Sequence, residues 1–260
     1  MRLLSLNAES GAGGPMFEKY IKSKMKSVDV FCFQEVYDSK IYKNVGMGER
    51  TDFFKLLKTL LKDYESLFCP VSDTLADFHK TKFKIVLGLA VFYKKGIKIE
   101  KHFEKHTHGS LHAPVDFFHG KESNAIQCVK FLTKKGSFWV ANFHGASRPG
   151  DKLDTPKRLE QSKKILKVLS QLEGPKILCG DFNLMPNTES IKMIERASMK
   201  NLIKLYKIKN TRNSISWKRY GNKQHFADFT FVSKDINVKD FKVPYTLASD
   251  HLPMILDFTS

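Results

Sequence analysis

Cysteine is scarce in this sequence, and its spacing fits neither a metal site nor a disulfide framework. The chain has four cysteines, Cys32, Cys69, Cys128 and Cys179, each within an apolar run, and none belongs to a CxxC pair. Disulfide scaffolds and structural zinc sites require paired or closely spaced cysteines. We therefore expect four reduced, buried thiols and a cytoplasmic location.

Long hydrophobic runs are also absent. No apolar stretch approaches the roughly 18 residues that a membrane-spanning helix needs. The N-terminal sequence MRLLSLNAES reaches polar residues too early for the core of a signal peptide. No internal repeat or low-complexity linker divides the chain. We expect no transmembrane segment, and we expect residues 1–260 to form a single domain.

Acidic residues are few relative to basic ones. The sequence has 27 Asp and Glu against 44 Lys and Arg, so its formal net charge at pH 7 is +17. Such a surface attracts polyanions, such as nucleic acid or an anionic membrane face. A basic composition can also serve solubility alone, so the charge supports a class of substrate without defining it.

Hydrophobic periodicity predicts a mixture of strands and helices. Helical spacing of apolar residues indicates helices after Pro15, from Thr51 to Leu61, after Thr155 and from Thr188 to about Ala197, with the three threonines as N-caps. Short apolar or alternating runs indicate strands at 2–6, 28–36, 64–71, 85–93, 125–133, 138–143, 175–183, 226–233, 237–243 and 252–258. Strand pairs mixed with single helices favour two packed sheets with helices outside.

Two stretches give weaker patterns. Residues 201–208 fit either a strand or a helix, and Lys134, Lys135 and Gly136 are expected to form a short basic hairpin turn. Periodicity also fades over 94–121, a span that contains His102, His106, His108, His112 and His119. Because neither a cysteine nor an ordered carboxylate accompanies them, we expect exposed histidines on a mobile substrate-side loop rather than a metal cluster.

Polar side chains with catalytic chemistry lie at the ends of the predicted strands. In the GDFN sequence, Asp181 and Asn183 follow an apolar run that begins at Pro175, and alternation along a strand would point both the same way. A carboxylate can accept a proton from water, and an amide can hold the reacting group. Taken alone, the same residues are also typical of an Asx turn.

Other polar residues occupy equivalent positions. They are Asn7, Glu35, His144, Asp228, Asp250 and His251. Burying so many unpaired acids by chance would be costly, so the set as a whole indicates a site rather than a series of turns.

The motifs that contain these residues occur in a characteristic order. NAE at 7–9, FQEV at 33–36, NFHG at 142–145, GDFN at 180–183, ADFTFVS at 227–233 and SDHLP at 249–253 together closely resemble the endonuclease/exonuclease/phosphatase superfamily. This group includes pancreatic-type deoxyribonuclease, apurinic endonucleases, deadenylases, inositol phosphatases and neutral sphingomyelinases. The resemblance runs from Leu3 to Phe258. It implies a four-layer α-β-β-α sandwich, with two mixed β-sheets face to face, helices outside and an active site at one end.

The resemblance also implies roles for single residues. Glu35 matches the acid that binds the divalent metal, and Asn7 matches the amide beside it, so both are expected at the metal. Asp181 and Asn183 match the pair that orients or activates the attacking water and contacts the phosphate. The expected ion is Mg²⁺, with Mn²⁺ as the alternative, because a hard cation prefers oxygen ligands and keeps waters for the substrate.

The histidines and the remaining acids complete the implied site. His251, held by Asp250, matches a histidine that serves in different members as general base or as phosphate ligand. His144 matches the second histidine of the deoxyribonuclease and sphingomyelinase branches, and Asp228 matches an acid that orients the catalytic groups. Which histidine is the base stays open. The deoxyribonuclease branch orients its second histidine with a carboxylate that is missing here, where Lys84 stands nearby, so His144 needs another partner or is less constrained.

The sequence therefore predicts a metal-dependent phosphoric ester hydrolase. We expect a Mg²⁺-dependent phosphodiesterase, a nuclease whose substrate partner is nucleic acid, acting as a monomer without an obligate protein partner. Two alternatives remain: a phosphoesterase acting on a phospholipid or a small-molecule phosphate, and a noncatalytic nucleic-acid-binding protein of the same fold. The choice between DNA and RNA and between endonuclease and exonuclease action is not encoded in these motifs.

Overall fold

Two six-stranded mixed sheets face each other in the computed structural model, which describes residues 1–133, 136–221 and 224–260. Across the first sheet, the strands run in the order β13 (Asn237–Lys242), β14 (Met254–Thr259), β1 (Arg2–Asn7), β2 (Val30–Asp38), β6 (Val86–Lys94) and β5 (Tyr64–Ser72). Across the second, the order is β11 (Lys200–Asn201), β12 (Asp228–Val232), β10 (Lys176–Asp181), β9 (Gly136–His144), β8 (Asn124–Thr133) and β7 (Lys98–His108). A small hairpin joins β3 (Asn44–Val45) to β4 (Glu49–Arg50).

Helices lie on the outer faces of both sheets and at their ends. They are α1 (Gly14–Lys24), α2 (Phe53–Leu60), α3 (Leu75–Phe78), α4 (Pro156–Ser170), α5 (Glu189–Arg196), α6 (Leu202–Leu205) and α7 (Ser214–Tyr220). Phe17 of α1 and Leu57 of α2 pack on the first sheet, while Ile165 of α4 and Ile191 of α5 pack on the second. The predicted sandwich of two sheets with outer helices is confirmed. Within the described residues, no helix is both long and apolar enough to cross a membrane.

The inward faces of the two sheets form the main core. Leu3 and Val91 of the first sheet join Val129, Ile177 and Cys179 of the second in one buried cluster. Alternation along each strand places these residues between the sheets. The four cysteines are free and buried, as predicted.

The span 94–121 differs from its prediction as a loop-rich region. Eleven of its residues form β7, the edge strand of the second sheet, which pairs antiparallel with β8. His102 and His106 therefore lie on a strand rather than a mobile loop. The prediction failed because most β7 side chains are exposed, so the strand lacks the apolar alternation that reveals a half-buried one. Of the predicted hairpin turn between β8 and β9, Lys134 and Lys135 lie outside the described residues.

Of the three predicted helix caps, Thr155 is confirmed, Thr188 is confirmed in position only, and Thr51 is wrong. Thr155 does accept a hydrogen bond from the Arg158 N–H, at 3.2 Å, and caps α4. Thr51 instead donates to the backbone oxygen of Ile41, and Thr188 makes no side-chain cap for α5. The N-terminal N–H groups of α5 are bound by the carboxylate of Asp154, which comes from a different loop.

The ambiguous segment 201–208 contains both kinds of structure. Asn201 ends the two-residue strand β11, and its side chain accepts a hydrogen bond from the Lys204 N–H to cap α6. The helices α3 and α7 were not predicted, because each is too short to show a periodic apolar face.

Candidate active site

The first sheet supplies two of the predicted site residues from adjacent central strands. Asn7 ends β1 and lies opposite Gln34 of the parallel strand β2. The next residue, Glu35, has a φ of 51° and lies within a register shift between Phe33 and Val36. A bulge re-aims a side chain, and here Glu35 Oε1 accepts a hydrogen bond from Asn7 Nδ2 at 2.9 Å.

The second sheet places three predicted site residues side by side. Asp181 of β10 lies opposite His144 of the parallel strand β9 and opposite Asp228 of the antiparallel strand β12. Gly180 has a φ of 139°, and a Cβ built on it would stand 1.9 Å from the backbone oxygen of Phe143. The glycine of GDFN therefore allows the close approach that brings Asp181 next to His144.

The end of β10 is at once a turn and a part of the site. Asp181 Oδ1 accepts a hydrogen bond from the Asn183 N–H at 2.8 Å, which is the Asx turn that the sequence also allowed. Asn183 has a φ of 54°, and its Nδ2 donates to the backbone oxygen of Gly145 at 3.1 Å. The strand ends at Asp181, so this turn, not strand alternation, positions Asn183.

Asp228, rather than Asp250, holds the imidazole of His251. Nδ1 of His251 lies 2.9 Å from both carboxylate oxygens of Asp228. The Asp250 carboxylate turns toward Arg212, whose Nη2 donates to Asp250 Oδ2 at 2.6 Å. Asp250 Oδ1 is 3.6 Å from Nε2 of His251. The prediction that Asp250 holds His251 is therefore wrong, because the guanidinium of Arg212 takes that carboxylate.

Asn7 links the two sheets across the site. Its Nδ2 donates to Asp181 Oδ2 at 3.0 Å as well as to Glu35, and its Oδ1 accepts from the Glu9 N–H at 3.0 Å. The amide therefore presents nitrogen, not oxygen, to the two carboxylates. This differs from the expectation that Asn7 lies at the metal as a ligand, because its oxygen is already bound by the backbone.

A second polar contact joins the sheets beneath the site. Gln34 Nε2 donates to Asn142 Oδ1 at 2.6 Å, and Asn142 Nδ2 donates to the backbone oxygen of Phe33 at 3.1 Å. The QE and NFH motifs contain these two residues, but their spacing in the sequence gave no sign that they would meet. The pair fastens β2, which carries Glu35, to β9, which carries His144.

His144 faces two carboxylates without a hydrogen bond. Its Nε2 lies 3.5 Å from Glu35 Oε1 and 3.7 Å from Asp181 Oδ2. That nitrogen is buried and has no hydrogen-bond partner among the residues that the structure describes. Buried polar atoms are normally satisfied, so this atom points to a group that binds between His144 and the acids.

Two buried cations at the site were not predicted. Lys152 is 5% exposed and donates to Asn183 Oδ1, and Arg212 is 4% exposed and donates to Asp250. Lysine and arginine are rarely buried unless paired. Both residues lie in loops of mixed polarity, where no periodic pattern marks a buried position, so the sequence carried no signal for them.

The pKa values of the central groups are shifted from their ordinary values. Burial alone would raise the pKa of Asp181, but the imidazoles of His251 and His144 and the ammonium of Lys152 lower it to about 2. Burial alone would lower the pKa of His251, but the carboxylates of Asp228 and Asp250 raise it to about 9. At neutral pH the metal-free centre therefore holds an ionised Asp181 beside a protonated His251.

The donor set at the open side of the site fits a divalent cation. Glu35, His144 and Asp181 each offer one ligand atom, and these atoms lie within 4.8 Å of one another. The Glu35 side chain is 35% exposed, against 2% for Asp181, so an ion can reach the group from solvent. Two carboxylates with one imidazole suit a hard or borderline divalent ion, and the unsatisfied Nε2 of His144 faces the same space.

A four-layer sandwich with acids, amides and imidazoles gathered at one end of its two sheets has the architecture of a phosphoester hydrolase. The chain belongs to the Endonuclease/Exonuclease/phosphatase family, whose sequence model matches residues 4–251. Members of this family hydrolyse phosphoesters and generally depend on a divalent metal. Recognition of the family from the ordered motifs is therefore confirmed.

Solved structures of low sequence identity share the fold. An endonuclease/exonuclease/phosphatase from Bacteroides vulgatus superposes with a TM-score of 0.73 at 18% identity, covering 99% of this chain and 98% of that one. The human Nocturnin catalytic domain with bound sulfate gives 0.72 at 21% identity, covering 100% and 93%. The mannosyl-6-phosphatase of Bacteroides thetaiotaomicron gives 0.71 at 18% identity, covering 100% of both chains.

One curated protein also matches part of the sequence. It is the DNA-directed RNA polymerase subunit beta'' of Oedogonium cardiacum, at 26% identity over 133 residues. The match covers 47% of this chain and only 5% of that subunit.

Proposed function

We propose that this protein is a Mg²⁺-dependent phosphodiesterase that hydrolyses nucleic acid. The observation that carries the proposal is the row of His144, Asp181 and Asp228 on three adjacent strands, facing Asn7 and Glu35 of the other sheet. This row places a cation-binding group, an ionised acid and a protonatable ring within one small volume, which is what attack of water on a phosphodiester requires.

Each side chain has a part that follows from its contacts. Glu35, with His144 and Asp181 within reach, would hold Mg²⁺, which neutralises charge on the phosphoryl oxygens. Asp181 Oδ2 faces both imidazoles and accepts a hydrogen bond from the attacking water. Asn183 donates an amide hydrogen to a nonbridging oxygen, where charge builds up during attack.

His251 acts as the proton-carrying group. Asp228 engages Nδ1, so Nε2 is the atom that faces Asp181, at 3.6 Å from Oδ2. A ring held in this way can donate from Nε2 to a phosphoryl oxygen or to the leaving group. Asp250 has an indirect part, because its carboxylate adds negative charge beside the ring and fixes Arg212.

The charge of the chain favours a polyanionic substrate. The loops 39–52, 73–85 and 109–123 lie at the site end of the sheets, since the register places Asp38 beside Val86 and Phe143 beside Ile126. These loops expose Lys40, Lys43, Lys80, Lys82, Lys84 and Lys121. Lysines around the mouth of the site would attract the phosphates on either side of the scissile bond.

The proposal extends to the organisation of the chain. Strands β1 and β14 are neighbours in one sheet, and the N-terminal amine donates to the backbone oxygen of Phe258 at 2.7 Å. Together with the continuous core, this supports one domain over residues 1–260. The four free, buried cysteines support a reducing compartment, and we propose a cytoplasmic monomer.

A panel of substrates tests the proposed function. Purified protein with Mg²⁺ or Mn²⁺ is incubated with plasmid, single-stranded DNA, RNA, sphingomyelin vesicles, inositol phosphates and bis(p-nitrophenyl) phosphate. We expect cleavage of DNA or RNA that chelation abolishes. Glu35→Gln and Asp181→Asn should lower kcat by about 100-fold or more, whereas Glu65→Gln, an exposed acid remote from the site, should leave it unchanged.

Three results would contradict the proposal. Hydrolysis of sphingomyelin or inositol phosphates without cleavage of nucleic acid would assign the site to a lipid or small-molecule substrate. Tight DNA binding without metal binding in calorimetry would indicate a noncatalytic binding protein. Cleavage that survives both active-site substitutions would show that the acids of this site do not carry the reaction.

A further inference from the structure

Lys152 is buried at the centre of the site on a loop that is held in place. The loop connects β9 to α4, and the backbone oxygen of Lys152 accepts a hydrogen bond from the Met185 N–H at 2.8 Å. Arg158, itself buried, donates to the backbone oxygens of Leu153 at 2.5 Å and of Pro149 at 2.6 Å. These contacts fix the chain on both sides of Lys152 and direct its side chain inward.

The backbone conformation of Lys152 and the burial of its charge are both energetically unfavourable. Its φ is 62°, in the left-handed region that side chains other than glycine rarely adopt. Its ammonium is buried, which removes a charged group from water. Local strain and buried charge of this kind persist where the surrounding structure enforces them, and they cluster at functional sites.

The ammonium of Lys152 donates a hydrogen bond to Asn183 Oδ1. An ammonium group has donors only, so it can face the oxygen of a carboxamide but not its nitrogen. The Asn183 amide group is thereby turned the other way, where one Nδ2 hydrogen reaches the backbone oxygen of Gly145. The second Nδ2 hydrogen stays available for a ligand.

We propose that Lys152 is a positioning residue that sets the orientation of the Asn183 carboxamide. Without the ammonium, only the Gly145 oxygen would oppose a 180° turn of the amide. Such a turn would present Oδ1 to a negatively charged phosphoryl oxygen, which repels it. With the ammonium, Asn183 presents a donor. This inference rests on the proposed function, because it assigns Asn183 to an oxygen of the substrate.

A double-mutant cycle tests whether Lys152 acts through Asn183. Lys152→Met, which keeps the length of the side chain without its donors, should lower kcat about 10- to 100-fold with KM within about twofold. In an Asn183→Ala background the same substitution should cost less than about twofold, because its target is gone. Lys163→Met removes the same charge from the exposed face of α4 and should change nothing.

The proposal is overturned if Lys152→Met keeps kcat within twofold of the wild type. It is also overturned if the losses from Lys152→Met and Asn183→Ala multiply in the double variant, since a general structural role would act independently of Asn183. Lys152→Arg, which still offers donors only, should retain more activity than Lys152→Met. A melting temperature for each variant separates these effects from unfolding.

A measurement on the wild type does not depend on catalytic activity. The Asn183 side-chain amide is assigned by NMR from its loss in Asn183→Ala. We expect its Nδ2 protons to show stronger contacts to the Gly145 α-protons than to the Lys152 side chain. The reverse pattern would overturn the proposed orientation even if the protein cleaves nucleic acid. A wild type that cleaves nothing in the panel, with the expected contacts present, would refute the function alone.

Discussion

His251 directs Nδ1 at both carboxylate oxygens of Asp228, each 2.9 Å away, although Asp250 is its neighbour in the sequence. This pairing leaves Nε2 as the atom that faces Asp181. The Asp228–His251 pair spans two elements that are distant in the chain, β12 and the segment before β14. The orientation of the ring therefore depends on the packing of the first sheet against the second.

Asp228→Asn should lower the pKa of His251 in the metal-free protein. Carboxylates raise that pKa to about 9, with Asp228 the largest contributor, and an amide cannot replace its charge. The ¹⁵N chemical shifts of the ring, followed from pH 5 to 10, measure the change. Asp235→Asn, an exposed acid, is the control. An unchanged His251 pKa in Asp228→Asn would show that the Asp228 carboxylate does not stabilise the protonated imidazole.

The same pair predicts how stability depends on pH. A histidine whose pKa is raised by folding stabilises the folded protein. This stabilisation is fully present below about pH 6.5, the pKa of histidine in the unfolded chain. That contribution disappears as pH rises through about 9. Chemical unfolding of the metal-free wild type should therefore show a loss of stability between pH 7 and 9.5 that is smaller in Asp228→Asn.

Substrate binding should be strongly salt-dependent. If loop lysines contact phosphates, KM for a DNA or RNA substrate should rise by about tenfold or more between 50 and 200 mM NaCl, because counterions are released on binding. Bis(p-nitrophenyl) phosphate carries a single charge, and its KM should change by less than about twofold. Equal changes in KM with salt for both substrates would show that the loop lysines do not contact the substrate.

Gly180→Ala should destabilise the fold and displace Asp181. A Cβ at this position would stand 1.9 Å from the Phe143 backbone oxygen, at a φ of 139°. We expect a loss of at least about 2 kcal/mol in the free energy of unfolding. Gly174→Ala is a matched control, since its φ is 85° but nothing lies within 4 Å of an added Cβ. Similar losses of unfolding free energy in both variants would show that the positive φ, and not the contact with Phe143, causes the destabilisation.

Asp154→Ala should destabilise α5, whereas Thr188→Ala should not remove a cap. Asp154 accepts hydrogen bonds from the backbone N–H groups of Glu189 and Ser190, and loss of such a cap costs about 1 kcal/mol. Burial would raise the pKa of Asp154, but the hydrogen bonds from Ser190 and Glu189 lower it. Its stabilisation is therefore present above about pH 3.9 and is lost as pH falls through the lowered pKa. Urea unfolding at pH 7 and at pH 3 measures both effects.

Local patterns predicted most of the fold because most elements are half-buried. The strand over 28–36 and the helix after Thr155 were identified from apolar spacing alone, and both lie where expected. The exposed edge strand β7 was missed for the opposite reason, since its sequence carries no apolar alternation. Hydrogen bonds to distant residues also decide which side chain caps a helix, and Asp154 lies 35 residues before the N–H of Glu189.

The candidate site shows the same division between local and distant information. GDFN and the other motifs contain the residues that the structure gathers, and the resemblance to a family implied their roles. Neither could show that Asp228 binds the imidazole of His251, or that the ammonium of Lys152 donates to Asn183. Each of these contacts joins residues that are distant in the sequence. Periodicity describes which face of an element is buried, but a polar pair at the end of a sandwich follows from the packing of the two sheets.

Both sheets contribute residues to the centre, and His251 enters it from the segment just before β14. Because a ribosome makes the chain from its N-terminus, a nascent chain that already contains Glu35, His144 and Asp181 still lacks the ring that Asp228 holds. Strand β1 also lacks one of its two neighbours until β14 is made. The centre is therefore incomplete in a growing chain until synthesis has passed residue 251.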